Sequence, residues 1–376
     1  MLGAKEIVKF CPYELSKYCK NLGGMICDMP MRLFIHATNV HQGGGQSLLR
    51  ALLEVCPENL GLVMVLDTRM EVPEGMPDGV EIKRVRPSIM QRLQAEWWLA
   101  QNVQAQDIVL CFGNLPPLFK LRGHVTVFVQ NRYLVDKVTL GNFPMKTRVR
   151  LGVERLWLSG KAINADEFAV QTLSMKTALL SSGCVVDQPV HIRPFANMPD
   201  IDPENVNREN HKRYDFIYVA SGEAHKNHRR LVEAWCLLAE QGQFPSLCLT
   251  LDEEQSIELF AWIEERKLQY GLKLENVGCL PHEQVIQLYA QARALIYPSQ
   301  FESFGLPLIE ARQAGLPVLA AELDYVRDVI VPEQSFDPDS PVSIARAVKR
   351  YLGVDEAPLK ILDATSFLDL LISKRS

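Results

Sequence analysis

A chain of 376 residues exceeds what one hydrophobic core ordinarily organises, so two domains are predicted. With 47% apolar residues and a net charge of −5, the composition is that of an ordinary globular chain and excludes nucleic-acid binding by bulk electrostatics. The nine cysteines avoid C-x-x-C and Cys/His ligand spacings, no apolar run reaches the about 18 residues that span a bilayer, and no apolar signal core opens the chain, which predicts a cytoplasmic protein with reduced thiols.

Residues 1–30 have mixed charge and no period, and read as an N-terminal extension. Met31 then opens "MRLFIHATNV", and makes an alternative start. Arg32–Ala37 is a short apolar run, followed by the glycine loop "HQGGGQS" and by helical spacing over Gln46–Cys56. "GLVMVLD", "VEIKRV", "DIVLCFG" and "HVTVFVQN" read as further strands. Alternation of this kind predicts parallel strands with helices on both faces. The first domain is therefore placed at 31–200. The polar, proline-bearing stretch around 195–213 predicts a linker at 201–213. A second alternating series runs from "YDFIYVA" through "SLCLTLD" and "ALIYPS", giving a second domain at 214–355. The tail 356–376 reads as an amphipathic helix. Two doubly wound sheets bring their strand C-termini toward a shared cleft, where ligands of such sheets sit.

The densest chemistry is "SQFESFGLPLIEARQAGLPVLAA", from Ser299 to Ala321. A strand ends at Pro298, Pro307 suits the first turn of a helix, and Gly315 suits its far end. The N–H groups around Phe304, Gly305 and Leu306 are then free at a positive helix terminus, which favours a phosphate or diphosphate. Glu310, about one turn into the helix, can accept two hydrogen bonds from a ribose diol. Glu302, on the other side of the anion site, can hold hydroxyls beyond the diphosphate. Ribose, diphosphate and hexose in that order are a nucleotide-sugar. The plain alternative is two surface glutamates flanking a helix start. In "YVASGEAHKNHRRLVEAW", Lys226 lies where a strand gives way to a helix near Asn227, and its compact ammonium can neutralise a diphosphate.

This block resembles the Glu, seven residues, Glu motif of retaining glycosyltransferases of family 4, which have the GT-B fold of two Rossmann-like domains. The tail "SFDPDSPVSIARAVKRYL" is similar to that family too. The resemblance implies that Glu302 contacts the donor hexose, Glu310 the ribose, and Lys226 the leaving diphosphate. It also implies retention of anomeric configuration and a C-terminal helix crossing back to the first domain. The family usually carries an arginine about five residues before the lysine. Ser221 stands there instead, one positive charge fewer, with His225 and Arg229 as candidate substitutes.

In the first domain, Gly44 and Gly45 would let backbone approach the diphosphate and the acceptor. A dinucleotide fingerprint competes at Gly43-x-Gly45 with Asp67, but Leu48 occupies its third glycine position. Gln130 and Asn131, where the family often has a histidine, present amides that can hydrogen-bond sugar hydroxyls. No Asp-x-Asp run is present, so neither a metal nor another cofactor is expected.

The segment 132–161 carries seven basic residues against Asp136 and Glu154, a net of +5, with Phe143, Met145, Leu151, Leu156, Trp157 and Leu158 interleaved. That composition suits an anionic leaflet, and equally a solvated helix packed on its domain. The expected function is transfer of a hexose from a UDP- or GDP-sugar to a glycan or lipid-linked acceptor in O-antigen or capsule assembly, at the inner face of the plasma membrane. Sucrose synthase-like or phosphorylase-like enzymes of the same fold, and a noncatalytic nucleotide-sugar-binding protein, remain open.

Overall fold

The computed structural model describes residues 31–354 except 57–60, 73–75, 77–78, 139–140, 142 and 197–211, together with 363–364. The predicted extension at 1–30 lies outside the described residues. So do most of the linker at 201–213 and of the C-terminal helix at 356–376.

Seven strands make the first sheet: β1 (Arg32–Ala37), β2 (Gly61–Asp67), β3 (Glu81–Val85), β4 (Ile108–Cys111), β5 (His124–Phe128), β6 (Glu167–Val170) and β7 (Val190–Ile192). All pairings are parallel, in the order β3-β2-β1-β4-β5-β6-β7. Parallel strands buried on both faces are expected to be apolar on both, and β1 meets that demand at Phe34, Ile35 and Ala37, with His36 its buried polar exception. Its Phe34 joins a core formed with β4, β5 and β6, while Ile35 and Ala37 join a second core on the opposite face. Helices α1 (Gly43–Glu54), α2 (Ile89–Asn102), α3 (Met145–Lys161) and α4 (Leu173–Ser181) cover the sheet. The predicted glycine loop is largely helix: α1 begins at Gly43, three residues before the expected start, so Gly44 and Gly45 form its first turn.

The second sheet comprises β8 (Tyr214–Tyr218), β9 (Leu247–Leu249), β10 (Leu274–Asn276), β11 (Ala292–Tyr297), β12 (Val318–Ala321) and β13 (Gln334–Phe336). Its order is β10-β9-β8-β11-β12-β13, again all parallel. Helices α5 (His228–Glu240), α6 (Ile257–Tyr270), α7 (His282–Ala290), α8 (Leu306–Gln313), α9 (Asp324–Arg327) and α10 (Pro341–Tyr351) pack around it. One continuous core spans this domain, with Trp235, Tyr218, Tyr289, Tyr297 and Tyr325 among its largest fully buried side chains.

In each sheet the winding reverses at one point, between β1 and β4 and between β8 and β11. Loops leaving the strand C-termini diverge there and open a crevice for ligands. The two crevices face each other across a set of direct contacts. Thr172 Oγ1 donates to Ser303 O (3.2 Å), the Ser174 N–H donates to Asp328 Oδ2 (2.8 Å), and Arg132 Nη1 donates to Glu302 O (3.2 Å). Leu306, at the start of α8, packs on the core of the first domain. A Cβ on Gly44 would lie 3.2 Å from Leu306 Cδ1, so glycine at this position lets the N-termini of α1 and α8 meet.

Candidate active site

A cavity of about 290 Å³ lies between the domains. Its N-terminal wall comes from the loops after β1, β4 and β5, with Asn39, Val40, Gln42, Gly45, Asn114, Gln130 and Asn131. Arg132, Tyr133, His225, Phe301, Glu302 and Ser303 complete it.

The C-terminal side is organised around Glu302. Oε1 of that carboxylate accepts hydrogen bonds from Lys226 Nζ (2.5 Å), Ser299 Oγ (2.7 Å) and Tyr297 Oη (3.0 Å). Among the described residues Oε2 has no hydrogen-bond partner, which leaves it available to a ligand in the cavity. Burial and the Glu302 carboxylate hold Tyr297 well above the usual phenol range, so it serves as a donor. Lys226 closes a 3-10 turn, Ala224–Lys226, after β8. Asn227 then takes a left-handed conformation (φ 63°), and its side-chain amide donates to Pro298 O (3.2 Å) and Pro338 O (2.7 Å). Asparagine tolerates that backbone better than most residues, and the two bonds fix the turn that aims Lys226. The Gln300 N–H donates to His225 O (2.8 Å) and ties the Glu302 loop to the same turn.

Helix α8 starts after Gly305, whose φ of 73° favours glycine and which supplies no side-chain cap. Pro307 has no N–H and the Leu308 N–H donates to Gly305 O (2.9 Å), so in the first turn of α8 it is the Leu306 N–H that has no acceptor among the described residues and is open to an anion. Phe304 is buried, and Glu310 is 8% exposed. Glu310 lies outside the cavity lining: its oxygens meet His282 Nε2 (3.0 Å) and Tyr289 Oη (3.1 Å) on α7. The hydrogen bond to Glu310 raises the pKa of His282, against the opposing effect of burial.

Ser221 is exposed and bonds the Glu223 carboxylate. Burial pushes Glu223 up, but the Ser221 hydroxyl and the Lys226 charge outweigh it and hold the carboxyl below its usual range. A serine paired with a carboxylate thus occupies the place where the resemblance implies an arginine. Neither candidate substitute supplies the charge. Arg229 stacks on Trp262, 4.8 Å from the ring centroid, and burial, with Lys226 beside it, lowers the pKa of His225. The guanidinium on the cavity wall is that of Arg132, from the opposite domain, held by Asp136 (3.0 Å) and stacked 4.7 Å from the Phe301 centroid.

Of the residues singled out from sequence, Gly45, Gln130, Asn131 and Glu302 line the cavity together, and Lys226 joins them through Glu302. Gly44, Phe304, Gly305 and Leu306 stand at the helix N-termini behind it. Sequence reasoning missed Asn114, whose Oδ1 accepts the N–H groups of both Gln130 (2.7 Å) and Asn131 (2.8 Å) from a left-handed backbone (φ 69°). It also missed the aromatic contact of Tyr133 with Phe301, centroids 4.5 Å apart, across the domain boundary. No motif announces either: each depends on loops distant in the chain. Among the described residues no group of three or more His, Cys, Asp or Glu side chains is placed to hold a metal ion.

Residues 202–362 match the family model Glycosyl transferases group 1. The serotype-specific mannosyltransferase WbdA of Escherichia coli is 32% identical over 143 residues, 38% of this chain and 17% of that protein. The O-antigen chain mannosyltransferase B of the same organism is 32% identical over 116 residues, 30% of each chain. The chain thus spans only about a sixth to a third of the length of these curated relatives. Among solved structures, Anabaena HepE in complex with UDP and glucose superposes with a TM-score of 0.62 at 12% identity, over 86% of this chain and 90% of that one. The fold is GT-B: two parallel-sheet α/β domains, of seven and six strands, facing a cleft.

Proposed function

We propose that the chain is a retaining glycosyltransferase of family 4, moving a hexose from a nucleotide-sugar to a glycan or lipid-linked oligosaccharide in surface-polysaccharide assembly. One observation carries this reading. Glu302, on the wall of the interdomain cavity, has one oxygen fixed by Lys226, Ser299 and Tyr297, while the other has no partner among the described residues. Such a carboxylate can hold sugar hydroxyls, and the ammonium beside it can meet a diphosphate at the uncapped N-terminus of α8. In the transfer, the acceptor hydroxyl oxygen bonds to the anomeric carbon as the bond from that carbon to the diphosphate oxygen breaks. The hydroxyl proton passes to the leaving diphosphate. Lys226 and the Leu306 N–H of α8 stabilise the negative charge that grows there, which is the largest demand of the step.

In this reading Glu310 serves the ribose, backed by His282 and Tyr289, and Gln130 and Asn131 contact the hexose or acceptor. The names of the relatives favour mannose, and the HepE complex favours UDP as the nucleotide. The reaction uses no metal, and chelation with EDTA is expected to leave turnover unchanged. In this reading the exposed basic residues of the segment 132–161, Lys146, Arg148 and Arg150 among them, meet the inner face of an anionic membrane.

A thermal-shift panel of UDP-, GDP- and ADP-sugars, followed by nucleotide release with acceptors, tests the reading. The donor is expected to stabilise the chain by RT ln(1 + [L]/Kd), about 2.7 kcal/mol at a hundredfold excess over Kd. Absence of any shift across the panel would sink it. The Ser221–Glu223 pair favours a second reading, a noncatalytic nucleotide-sugar-binding protein. A thermal shift without nucleotide release under any acceptor would select that alternative.

A further inference from the structure

We infer that α2 and α3 together form one lipid-docking face, which inserts apolar side chains of both helices into an anionic bilayer and sets the cavity beside it. This rests on the proposed membrane-side transfer and names the surface that achieves it. On α3, Met145, Val149, Val153 and Leu156 are 67%, 58%, 56% and 74% exposed. They recur at i, i+4, i+8 and i+11, a single stripe along the helix. On α2, Ile89, Met90, Leu93 and Trp97 are 84%, 66%, 41% and 60% exposed, again along one side. The helices are neighbours, since the Arg92 guanidinium of α2 lies 4.9 Å from the ring centroid of Trp157 on α3. Single exposed apolar residues are ordinary on a protein, but a grouping on adjoining helices marks an interaction surface.

Charge identifies the occupant. Lys146, Arg148 and Arg150 are all exposed on α3, and among the described residues Lys146 and Arg148 form no salt bridge. Cores of protein–protein interfaces are depleted in lysine, whereas basic side chains and tryptophan beside an apolar stripe suit the headgroup region of an anionic leaflet. The segment's positive charge also runs against the −5 of the whole chain.

The structure corrects the composition of this surface. Arg132 and Arg155 face inward: Arg155 donates to Tyr133 O (2.8 Å) and Asp136 O (3.0 Å). Leu151 and Leu158 are buried, and Trp157 is half-buried with its indole N–H on Pro116 O (2.9 Å). The apolar contribution of α2, absent from the sequence reading, takes their place. Arg155 also anchors α3 to Tyr133 on the cavity wall, so docking of α3 fixes the cavity relative to the lipid plane.

The test is co-sedimentation of the full chain with phosphatidylcholine vesicles, with and without phosphatidylglycerol. Binding is expected to require phosphatidylglycerol, and to fall about 100-fold when Lys146, Arg148 and Arg150 are all changed to glutamine. The pair Leu93→Glu and Trp97→Glu on α2 is expected to weaken it at least about tenfold, as is Val149→Glu with Leu156→Glu on α3. Unchanged unfolding temperatures establish that the variants fold. Native-like binding by the α2 variant overturns the inference, as does equal binding to both vesicle types. A lipid-free dimer that the α2 variant dissociates assigns the face to a second copy and overturns it as well. Transfer to a soluble acceptor is expected to persist in every variant. Its absence from the native chain would instead sink the proposed activity and leave the vesicle result standing.

Discussion

The C-terminal side of the cavity centres on an ion pair, whereas the N-terminal wall is built mainly of amides, with Arg132 as its guanidinium. On the ionic side a lysine and a glutamate meet at 2.5 Å, brought together by adjacent strands β8 and β11 and by turns with fixed backbone shapes. On the other side Asn39, Gln42, Asn114, Gln130 and Asn131 converge from three loops. A diphosphate presents the same charge whatever sugar it carries, so short stretches around two strand ends suffice to meet it. Hydroxyls of an acceptor differ in position rather than charge, and amides, which donate and accept, read position. The ionic side should therefore govern rate, and the amide wall should govern which acceptor is used.

The largest expected effect tests that division. Glu302→Ala and Lys226→Ala are each predicted to lower kcat by about 100- to 1000-fold, the range found when a preorganised group facing transition-state charge is removed. Gln130→Ala is predicted to act mainly on the KM of the acceptor. If Gln130→Ala depressed kcat as deeply as Lys226→Ala, the assignment of rate to one side and selection to the other would break.

A second prediction concerns pH. Burial, with the Lys226 charge nearby, lowers the pKa of His228 to about 4, and burial likewise lowers His225 and, in the other domain, His36. A histidine held neutral in the fold takes up its proton more readily when unfolded. Its contribution to stability is therefore complete above the ordinary value near 6.5 and is lost as pH falls toward about 4. For His228 the loss approaches about 3 kcal/mol. Denaturant melts across that interval should show a decline, and His228→Gln should flatten it. An identical slope in the variant would assign the decline elsewhere.

How far the chain announces all this differs between the halves. The second domain was legible because its candidate site sits in contiguous residues: the strand ending at Tyr297, just before Pro298, Gly305 in a left-handed conformation, Pro307 in the first turn of α8 and Gly315 (φ 67°) past its end. Lys226 was legible for the same reason. Strands β1 and β8 were readable from apolar runs, since burial on both faces leaves no other composition. The start of α1 was misplaced because three consecutive glycines read as loop, yet close approach to Leu306 requires a small residue inside the helix. The partners of Glu310 were hidden because His282 and Tyr289 lie on α7, out of register with any motif. The apolar face of α2 was hidden for a different cause. Ile89, Met90, Leu93 and Trp97 have the spacing of a helix side, and spacing alone does not separate a side facing a core from one facing outward.

The smallest effect sharpens the comparison most, because it concerns geometry without charge. Asn114 touches the cavity, but its weight in the fold is that one oxygen holds two successive N–H groups, those of Gln130 and Asn131. Removing the partner of these part-buried N–H groups costs toward the lower end of the about 1–3 kcal/mol that buried groups lose, and a β-carbon without a side-chain hydrogen bond at φ 69° adds strain. Asn114→Ala carries both penalties and Asn114→Gly only the first, while Asn114→Asp keeps the accepting oxygen and tolerates the backbone. If Asn114 positions the amide wall, acceptor KM should rise severalfold in both the alanine and glycine variants and return toward native in the aspartate variant. Donor affinity, read by thermal shift, should stay constant throughout. A merely structural role would instead order the three by melting temperature and leave KM unmoved. A parallel loss of donor affinity would mean that the amide wall reaches the nucleotide-sugar, and that the two sides of the cavity do not divide the work between them.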